Sequence, residues 1–595
     1  MILQALFEYA QRKGDELPED GFEDVEIKYL IKIREDGSLV DLVSTIEGKK
    51  GHIYQKVPMR VARTSSPKAS LLLDNAEYVL GIPKQIKEND PNYEAKQKKA
   101  NEKALMCNEL FIKEIENLPA DILNEKEINA VIAFYRGNKQ NGFDKIPFCE
   151  HWEECQKTTG NLSFILDGKD SIVPQLASIR KYQRFITAKK SETKDDPETD
   201  NTTGICLITG EKSVITRLHS ATSIKNSQAT APLVGFNKDS FLSYGKKQSF
   251  NAPVSVKAEI SYTKALNYLI GAKNNRFFLG NDTVVFWAEK KESQSFEGMF
   301  SVFFATDFDD PDRNVREVKN LFAAVQTGKY EKMDYDSNFY VLCLSPNSGR
   351  ISVRFWETGK VEQFAKRIKQ HFDDFEIIKP SFDDKEYLNL YQILSATALE
   401  NKMENVAPNL IGSAMQSILK GLPYPATLQQ QCIRRIRAEQ KVTRERAAIL
   451  KAYINRLNRY KNIKEDVSVS LDRNCTDKGY LLGRLFAVFE KIQKESSDTE
   501  LNSTITDRFY GAASTNPVTV FTQLMRLNRN HMSKLQVKNR GLHINRDKEI
   551  GEIMNAIDSF PAHLDLNEQS QFAIGYYHEK QSFFESKSEK SEGEN

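Results

Sequence analysis

Apolar residues near the start of the chain follow first a helical and then a strand pattern. Leu3, Leu6 and Phe7 lie on one side of a predicted amphipathic helix, and the stretches IKYLIKI and GSLVDLVSTI after it are typical of strands. Between residues 205 and 385, short β-branched and aromatic runs bounded by Gly, Asn, Asp or Ser predict more strands. These runs are ICLI, TVVFWA, MFSVFF, NFYVLCL and RISVRFW.

Beyond residue 386 the apolar spacing becomes helical. One helix face is predicted by the residues Leu450, Tyr453, Ile454, Leu457 and Tyr460. The dipeptide Asn516-Pro517 indicates an N-cap followed by a first-turn proline.

Two polar stretches interrupt these patterns. Residues 187–204, TAKKSETKDDPETDNTTG, predict a flexible linker or loop, and the last residues, ESKSEKSEGEN, predict a disordered tail. The fold class is therefore α+β: a mixed α/β N-terminal region and a β-rich middle region, followed by an all-α C-terminal helical bundle. The predicted boundaries are 1–186, 187–204, 205–385, 386–584 and 585–595.

Composition narrows the class of protein. The 595 residues include 84 Lys and Arg against 82 Asp and Glu, and 40% are hydrophobic, as in a globular chain without a uniformly basic coat. No apolar run reaches the length of a membrane span, and the N-terminus lacks a signal-peptide pattern. Seven scattered cysteines are unlike a disulfide framework. We therefore expect a cytoplasmic protein.

The positive charge is concentrated in two helical segments. Residues 432–464 hold eleven Lys or Arg against Glu439 and Glu445, and residues 525–540 hold no carboxylate. Such segments are either solvated outer faces or sites that bind the phosphates of a nucleic acid. The residues predicted to contact a nucleic-acid backbone are Arg434, Arg435, Arg437, Lys441, Arg444, Arg446, Lys451, Arg526, Arg529, Lys534, Lys538 and Arg540.

Two polar loops of the middle region, SIKNSQATAPLVGFN and SYGKKQSFNAP, combine amides with lysines. Amide side chains suit base edges and lysine suits phosphate, although Asn and Ser also favour turns for local reasons. The candidate DNA-binding residues here are Lys225, Asn226, Gln228, Lys246, Lys247, Gln248 and Asn251.

The sequence contains few signs of catalytic chemistry. No P-loop, zinc-protease or nucleophile-elbow motif is present. Cys149, His151 and Cys155 lack an evident fourth zinc ligand. The acidic run TDFDDPDR reads as caps before a helix at 314–322, and HFDDF, with His371, Asp373 and Asp374, reads as a solvated helix end. We expect no catalytic residue, metal or cofactor.

Longer motifs span most of the chain. They include MILQALFEYAQR, VARTSSPKASLLLDNAEYVLG, LVGFNKDSFLSYGKKQSFNAPVS, LSPNSGRISVRFW, GSAMQSILKGLPYP and FPAHLDLNEQSQFAIGYYHEKQSFF. Together, up to about residue 584, they resemble the large subunit of the type I-C CRISPR Cascade complex, a crRNA-guided surveillance complex.

The resemblance implies a non-enzymatic subunit that reads the PAM, the short motif beside the target, while guide pairing reads the remaining sequence. It would help to open the duplex, stabilise the R-loop and the displaced strand, and dock a helicase-nuclease. By matching position, Arg63, Ser65, Lys68 and Asn75 become further DNA contacts, although Asn75 also suits a core or turn role.

The implied partners are the crRNA-containing backbone subunits, double-stranded target DNA, the helicase-nuclease, and small subunits matching residues 467–584. Two alternatives stay open. One is a metal-dependent nuclease using Asp307, Asp309, Asp310 or the HFDD segment, and the other is a structural scaffold that binds crRNA and neighbouring subunits.

Overall fold

The computed structural model describes residues 1–584 except 49, 62–66, 86–91, 158–159, 193–201, 223, 229, 305–315, 317–318, 322, 324, 326–335, 348, 384 and 408. The chain divides into two compact units. Unit 1 comprises Met1–Ser223, Ser227–Tyr268 and Ser348–Arg350. Unit 2 comprises Ile224–Asn226, Leu269–Asn347 and Ile351–Asn595.

Unit 1 contains a five-stranded mixed sheet and a separate two-stranded hairpin. The sheet strands are β1 Phe22–Ile33, β2 Leu39–Ser44, β3 His52–Pro58, β4 Leu73–Asn75 and β5 Asn161–Leu166, and the hairpin strands are β6 Thr203–Ile205 and β7 Lys212–Val214. The sheet order is β2-β1-β5-β4, with β3 also paired to β1. Strands β1 and β5 run parallel, and the other β1 pairings and β4–β5 are antiparallel.

Eight α-helices begin in unit 1 within the described part of the chain. They are α1 Ile2–Lys13, α2 Ala76–Val79, α3 Tyr93–Glu116, α4 Ala120–Leu123, α5 Lys126–Arg136, α6 Trp152–Lys157, α7 Ala177–Glu192 and α8 Val256–Gly271, the last belonging to unit 1 up to Tyr268. The predicted opening helix and the first two strands are confirmed. Helix α7 continues to Glu192, into the predicted linker, and residues 193–201 of that linker lie outside the described residues.

A register shift in β1 exchanges the two faces of the sheet. Val25 and Ile27 pack in a small cluster with Val57, whereas Tyr29 and Ile31, of the same parity, pack in the main core of unit 1. The pairing of β1 with β5 shifts between Ile27 and Tyr29. An extra residue at such a shift moves every later side chain to the opposite face.

Unit 2 contains a four-stranded sheet in the order β11-β10-β9-β8. Its strands are β8 Arg276–Leu279, β9 Asp282–Ala288, β10 Asn338–Asn347 and β11 Arg350–Lys360. The strands predicted from TVVFWA, NFYVLCL and RISVRFW are confirmed. The strand predicted from MFSVFF is wrong, because α9 Gln294–Phe304 covers it and Phe296, Phe300 and Phe304 meet the core at helical spacing.

The predicted C-terminal helices are confirmed and share one hydrophobic core with the sheet of unit 2. They are α10 Val361–Phe375, α11 Leu390–Ser395, α12 Leu410–Lys420, α13 Ala426–Glu439, α14 Arg444–Tyr460, α15 Lys478–Ser496, α16 Ile505–Ala513, α17 Pro517–Lys538, α18 Arg540–Asn555 and α19 Leu566–Ser582. Asn516 precedes α17 as predicted, but its side chain makes no capping hydrogen bond. The predicted tail, 585–595, lies outside the described residues.

Short 3-10 helices connect these elements. Their described bounds are Gly14–Glu16, Phe143–Phe148, Val173–Gln175, Asp239–Phe241, Gln248–Asn251, Lys273–Asn275, Lys291–Ser293, Leu399–Asn401 and Met403–Asn405.

Candidate nucleic-acid interface

The loop of residues 239–251 in unit 1 is a braced, cation-bearing projection. The turn from Ser243 to Lys246 closes through a 2.9 Å hydrogen bond from the Lys246 amide to the Ser243 carbonyl. Asn251 holds this turn with its side chain: its Nδ2 donates to the carbonyl oxygens of Lys246 at 2.9 Å and Gln248 at 2.8 Å, and its Oδ1 accepts from the Ser243 amide at 2.9 Å. The predicted base reader Asn251 therefore braces the loop from within.

The other polar residues of the 239–251 loop divide into two kinds. Lys246 and Lys247 are exposed and form no ion pair with any residue that the structure describes. Gln248 is half-buried, and its Oε1 accepts a 2.7 Å hydrogen bond from Arg217. The lysines remain available to phosphate, whereas the Gln248 carbonyl oxygen is already occupied.

Gln228 lies beside Gly349, and the next residue, Arg350, contacts the 239–251 loop. The Gln228 side chain is exposed and packs against Gly349, where a Cβ would come within 3.0 Å of its Oε1. The next residue, Arg350, places its guanidinium carbon 4.6 Å from the centre of the Phe241 ring. Unit 1 thus brings an exposed amide, an arginine and the 239–251 loop together through residues 349–350.

Lys225 and Asn226 belong to unit 2. The Lys225 ammonium lies 5.2 Å from the centre of the Phe278 ring, which also carries the Arg276 guanidinium at 5.0 Å. Asn226 adopts a left-handed backbone conformation with φ of 62°, and its Nδ2 donates to Asn281 at 3.2 Å. Both residues are exposed, so their predicted DNA contacts stay predictions.

The four positions suggested by resemblance have different outcomes. Arg63 and Ser65 lie outside the described residues. Lys68 is exposed. Asn75 is the N-cap of α2, where its side-chain oxygen accepts from the Glu77 amide at 3.0 Å. That is the turn role left open by the sequence.

Part of the first basic segment is internal, which corrects the prediction that its cations form one outward basic face. Arg444, Arg446 and Lys451 are buried. Arg444 binds Asp383 at 3.0 Å, and Arg446 binds Glu439 at 2.5 Å and donates to the Ala396 carbonyl at 3.0 Å. Arg444 and Arg446 therefore bind partners inside unit 2 and do not face an external ligand.

Helix α14 is buried on nearly all sides, and this explains the inward cations. Several of its arginines hydrogen-bond carbonyl oxygens at the ends of neighbouring helices, such as Ala396 after α11 and Leu422 after α12. Unpaired carbonyls at a helix C-terminus carry partial negative charge, which favours cations. The run AAILKAYI, at 447–454, was the available sequence signal, because a helix that is apolar all round is a buried helix.

Exposed cations remain at the end of α13 and along α17. Arg434, Arg437 and Lys441 are exposed, whereas Arg435 pairs with Glu439 at 3.2 Å. On the second segment Lys538 pairs with Asp498 at 3.1 Å. Four others are exposed and form no ion pair within the described part of the chain: Arg526, Arg529, Lys534 and Arg540.

A family model for CRISPR-associated proteins, Cas_Csd1, matches residues 3–584 of this chain. The chain belongs to the Cas_Csd1 family. A comparison with curated proteins found no match. Among the described residues of this Cas_Csd1 protein, no helix is both long and apolar enough to cross a membrane.

Four of the five residues of the HFDDF segment in the Cas_Csd1 chain are buried, so its interpretation as a solvated helix end is wrong. His371 hydrogen-bonds the Tyr424 hydroxyl at 2.8 Å, and Asp374 pairs with Arg456 and Arg459. Burial lowers the pKa of His371 well below its usual value and raises that of Asp374 despite the two arginines. This is an internal polar network.

The other candidate ligands of the Cas_Csd1 chain are dispersed. His151 pairs with Glu154 at 3.4 Å, and the buried Cys155 has a pKa raised to about 12 by desolvation. Asp307, Asp309, Asp310 and the helix predicted after them fall mainly outside the described residues. No group of three or more potential metal ligands occurs in the part of the chain that is described.

Sequence reasoning missed the aromatic residues of this candidate interface. Phe241 and Tyr244 lie in the same sequence block as the lysines, and Tyr244 is 97% exposed. Arg217 and Arg350 were also missed, because the sequence does not show which distant arginine meets a given loop. An aromatic next to Gly-Lys-Lys in a polar loop was the available signal for Tyr244.

Proposed function

We propose that this Cas_Csd1 protein is the non-catalytic large subunit of a type I-C Cascade complex. It would recognise the PAM in double-stranded DNA, help to open the duplex, stabilise the R-loop and displaced strand, and dock the helicase-nuclease. Its partners would be the crRNA-containing backbone subunits and small subunits that match its own C-terminal region.

The observation that carries the proposal is the match of nearly the whole chain to a CRISPR-associated family. A guide-based complex needs a protein contact only for the short flanking motif, since base pairing reads the remaining target. The exposed amide of Gln228 suits that contact, as do Lys246 and Lys247, which form no ion pair with a described residue.

The exposed cations of unit 2 would bind the DNA backbone and would not read the PAM. Arginines and lysines along one helix bind phosphates whatever the base sequence, with an affinity that falls as salt rises. Arg526, Arg529 and Lys534 on α17 are suited to holding a strand in this way. PAM selection and strand retention would thus be separable by mutation.

The test uses the assembled guide complex and two DNA duplexes that differ only in the motif beside the target. Wild type should bind the correct duplex more tightly, and Gln228→Ala should reduce that preference about 5- to 100-fold, the value of one bidentate base contact. Gln536→Ala, which removes an exposed amide on α17, is the control and should keep the preference.

Equal binding of both duplexes by the wild-type complex would reject PAM recognition. Crosslinking of the protein to crRNA but not to target DNA would instead favour the structural-scaffold alternative. DNA cleavage by the purified chain with Mg²⁺ or Mn²⁺ would contradict a non-catalytic subunit.

A further inference from the structure

The tip of the 239–251 loop holds an aromatic side chain in an unfavourable position. Tyr244 is 97% exposed, so its ring gains almost nothing from burial. Its φ is 52° and that of Gly245 is 68°, as in a type I′ turn, where Asn or Gly is preferred at both central positions. A left-handed backbone is unfavourable for a non-glycine residue, because its Cβ comes too close to the following carbonyl oxygen.

The turn that presents Tyr244 is held at its base by hydrogen bonds. Asn251 makes two hydrogen bonds to the turn and a third to the Gln248 carbonyl just after it. The buried Ser249 amide donates to the Arg217 carbonyl at 3.2 Å. A rigid, exposed aromatic loses little conformational entropy on binding. Strain that the surrounding structure maintains is typical of binding sites and points here to an external ligand for the ring.

The charge around the ring indicates the class of ligand. Lys246 and Lys247 follow Tyr244 after one glycine, and Lys238 immediately precedes the loop. Asp239 is the one carboxylate in residues 236–251. All three lysines are exposed, without an ion pair to a described residue. Aromatic rings flanked by unpaired cations are the usual means of binding single-stranded nucleic acid, with bases on the rings and phosphates on the cations.

We propose that Tyr244 stacks on an unpaired nucleobase at the position where the target duplex is opened. This inference rests on the proposed function, because it assigns the opening step to a side chain of the same loop. The ring would replace the stacking that a base loses when it leaves the duplex. Lys246 and Lys247 would bind the adjoining phosphates.

The experiment compares Tyr244→Asn, which suits the left-handed turn, with Tyr244→Phe, which keeps the ring. The assembled guide complex is mixed with duplex DNA carrying 2-aminopurine in the first base pair beside the PAM. Tyr244→Asn should slow opening about 10- to 100-fold, since base–aromatic stacking contributes substantially per base. Tyr244→Phe should open DNA at the wild-type rate. With a duplex that already carries a mismatch at that position, Tyr244→Asn should open DNA at the wild-type rate.

A second arm separates this inference from the proposed function. The full-length chain alone is mixed with a DNA bubble that carries 2-aminopurine but no PAM. Wild type and Tyr244→Phe should change the fluorescence of the 2-aminopurine, and Tyr244→Asn should not. If the complex fails to distinguish PAM sequences while this arm succeeds, the proposed function fails and the stacking contact stands.

Three outcomes would overturn the inference. The first is wild-type opening and fluorescence with Tyr244→Asn. The second is a defect in Tyr244→Phe equal to that of Tyr244→Asn, which would assign the effect to the hydroxyl. The third is normal opening with lost helicase-nuclease docking, which would make Tyr244 a protein contact. The thermal midpoint of Tyr244→Asn should equal or exceed that of wild type, because asparagine relieves the turn.

Discussion

Asp374 of α10 and Arg456 of α14 form an ion pair of 2.8 Å whose two side chains are only 2% and 3% exposed. Arg459 binds the second carboxylate oxygen of Asp374. Arg456 also donates to the Ser417 carbonyl at 3.1 Å and lies 4.3 Å from the centre of the Tyr424 ring. Two arginines of the first basic segment therefore balance the charge of one buried carboxylate.

Asp374→Asn should lower the free energy of unfolding by about 3–5 kcal/mol, because removing one partner leaves buried charge uncompensated. The adjacent Asp373 is the matched control: it is 43% exposed and pairs with Lys369 on the same helix. Asp373→Asn should change stability by less than about 0.5 kcal/mol. Urea denaturation of both variants measures the difference, and equal effects would contradict the buried-network description.

Substitutions in the first basic segment should separate stability from DNA binding. Arg444→Ala should destabilise unit 2, because its side chain binds Asp383 and two carbonyl oxygens in a buried site. The exposed Arg434→Ala should leave the thermal midpoint unchanged. If Arg434 contacts a phosphate, the log–log salt slope of DNA binding should fall by about 1. Unchanged stability in Arg444→Ala would refute its internal role.

Glycines allow α15 and α19 to pack backbone against backbone. A Cβ at Gly483 would overlap the carbonyl of Phe572, and one at Gly575 would overlap that of Tyr480. Gly483→Ala should therefore destabilise the protein by about 1–3 kcal/mol or more through overpacking. Gly551, in α18, has open space around it, so Gly551→Ala should stabilise by about 0.5–1 kcal/mol. Thermal unfolding of the two variants compares these opposite signs.

His219 should make unit 1 less stable in acid. It is buried, hydrogen-bonds the Tyr262 hydroxyl, and has a pKa lowered to about 4 by desolvation. Between the ordinary histidine pKa and about 4, the unfolded chain binds more protons than the folded one. The stability that the neutral, buried His219 provides is therefore fully present above the ordinary histidine pKa and is lost as pH falls towards 4.

The expected loss is about 2–3 kcal/mol for a pKa difference of this size. Urea denaturation of wild type and His219→Gln at pH 7 and pH 4.5 measures it, with the difference between the proteins isolating His219 from other groups. Wild type should lose more stability than the variant on acidification. An identical loss in both proteins would exclude His219 as the titrating group.

The order of the main elements was predictable because their periodicities are local. IKYLIKI, TVVFWA and NFYVLCL each alternate or cluster apolar residues over one strand length, and all three are strands. MFSVFF failed because a six-residue run with five apolar residues fits either period. The helical spacing becomes evident only when Phe296, which precedes the run, is included. Candidate-site residues were harder, since exposure and pairing depend on distant segments.

Sequence alone determined the α+β class, most strands, the helical C-terminal region and the resemblance to a CRISPR-associated family, because these depend on local spacing or long motifs. Tertiary structure decided what the polar residues do. It turned Arg444 and Arg446 inward, made Asn251 a brace and left Tyr244 exposed. The reason is physical: helical periodicity shows which side chains share a face, but whether that face meets solvent, a carboxylate or a helix end is set by residues far away in the chain.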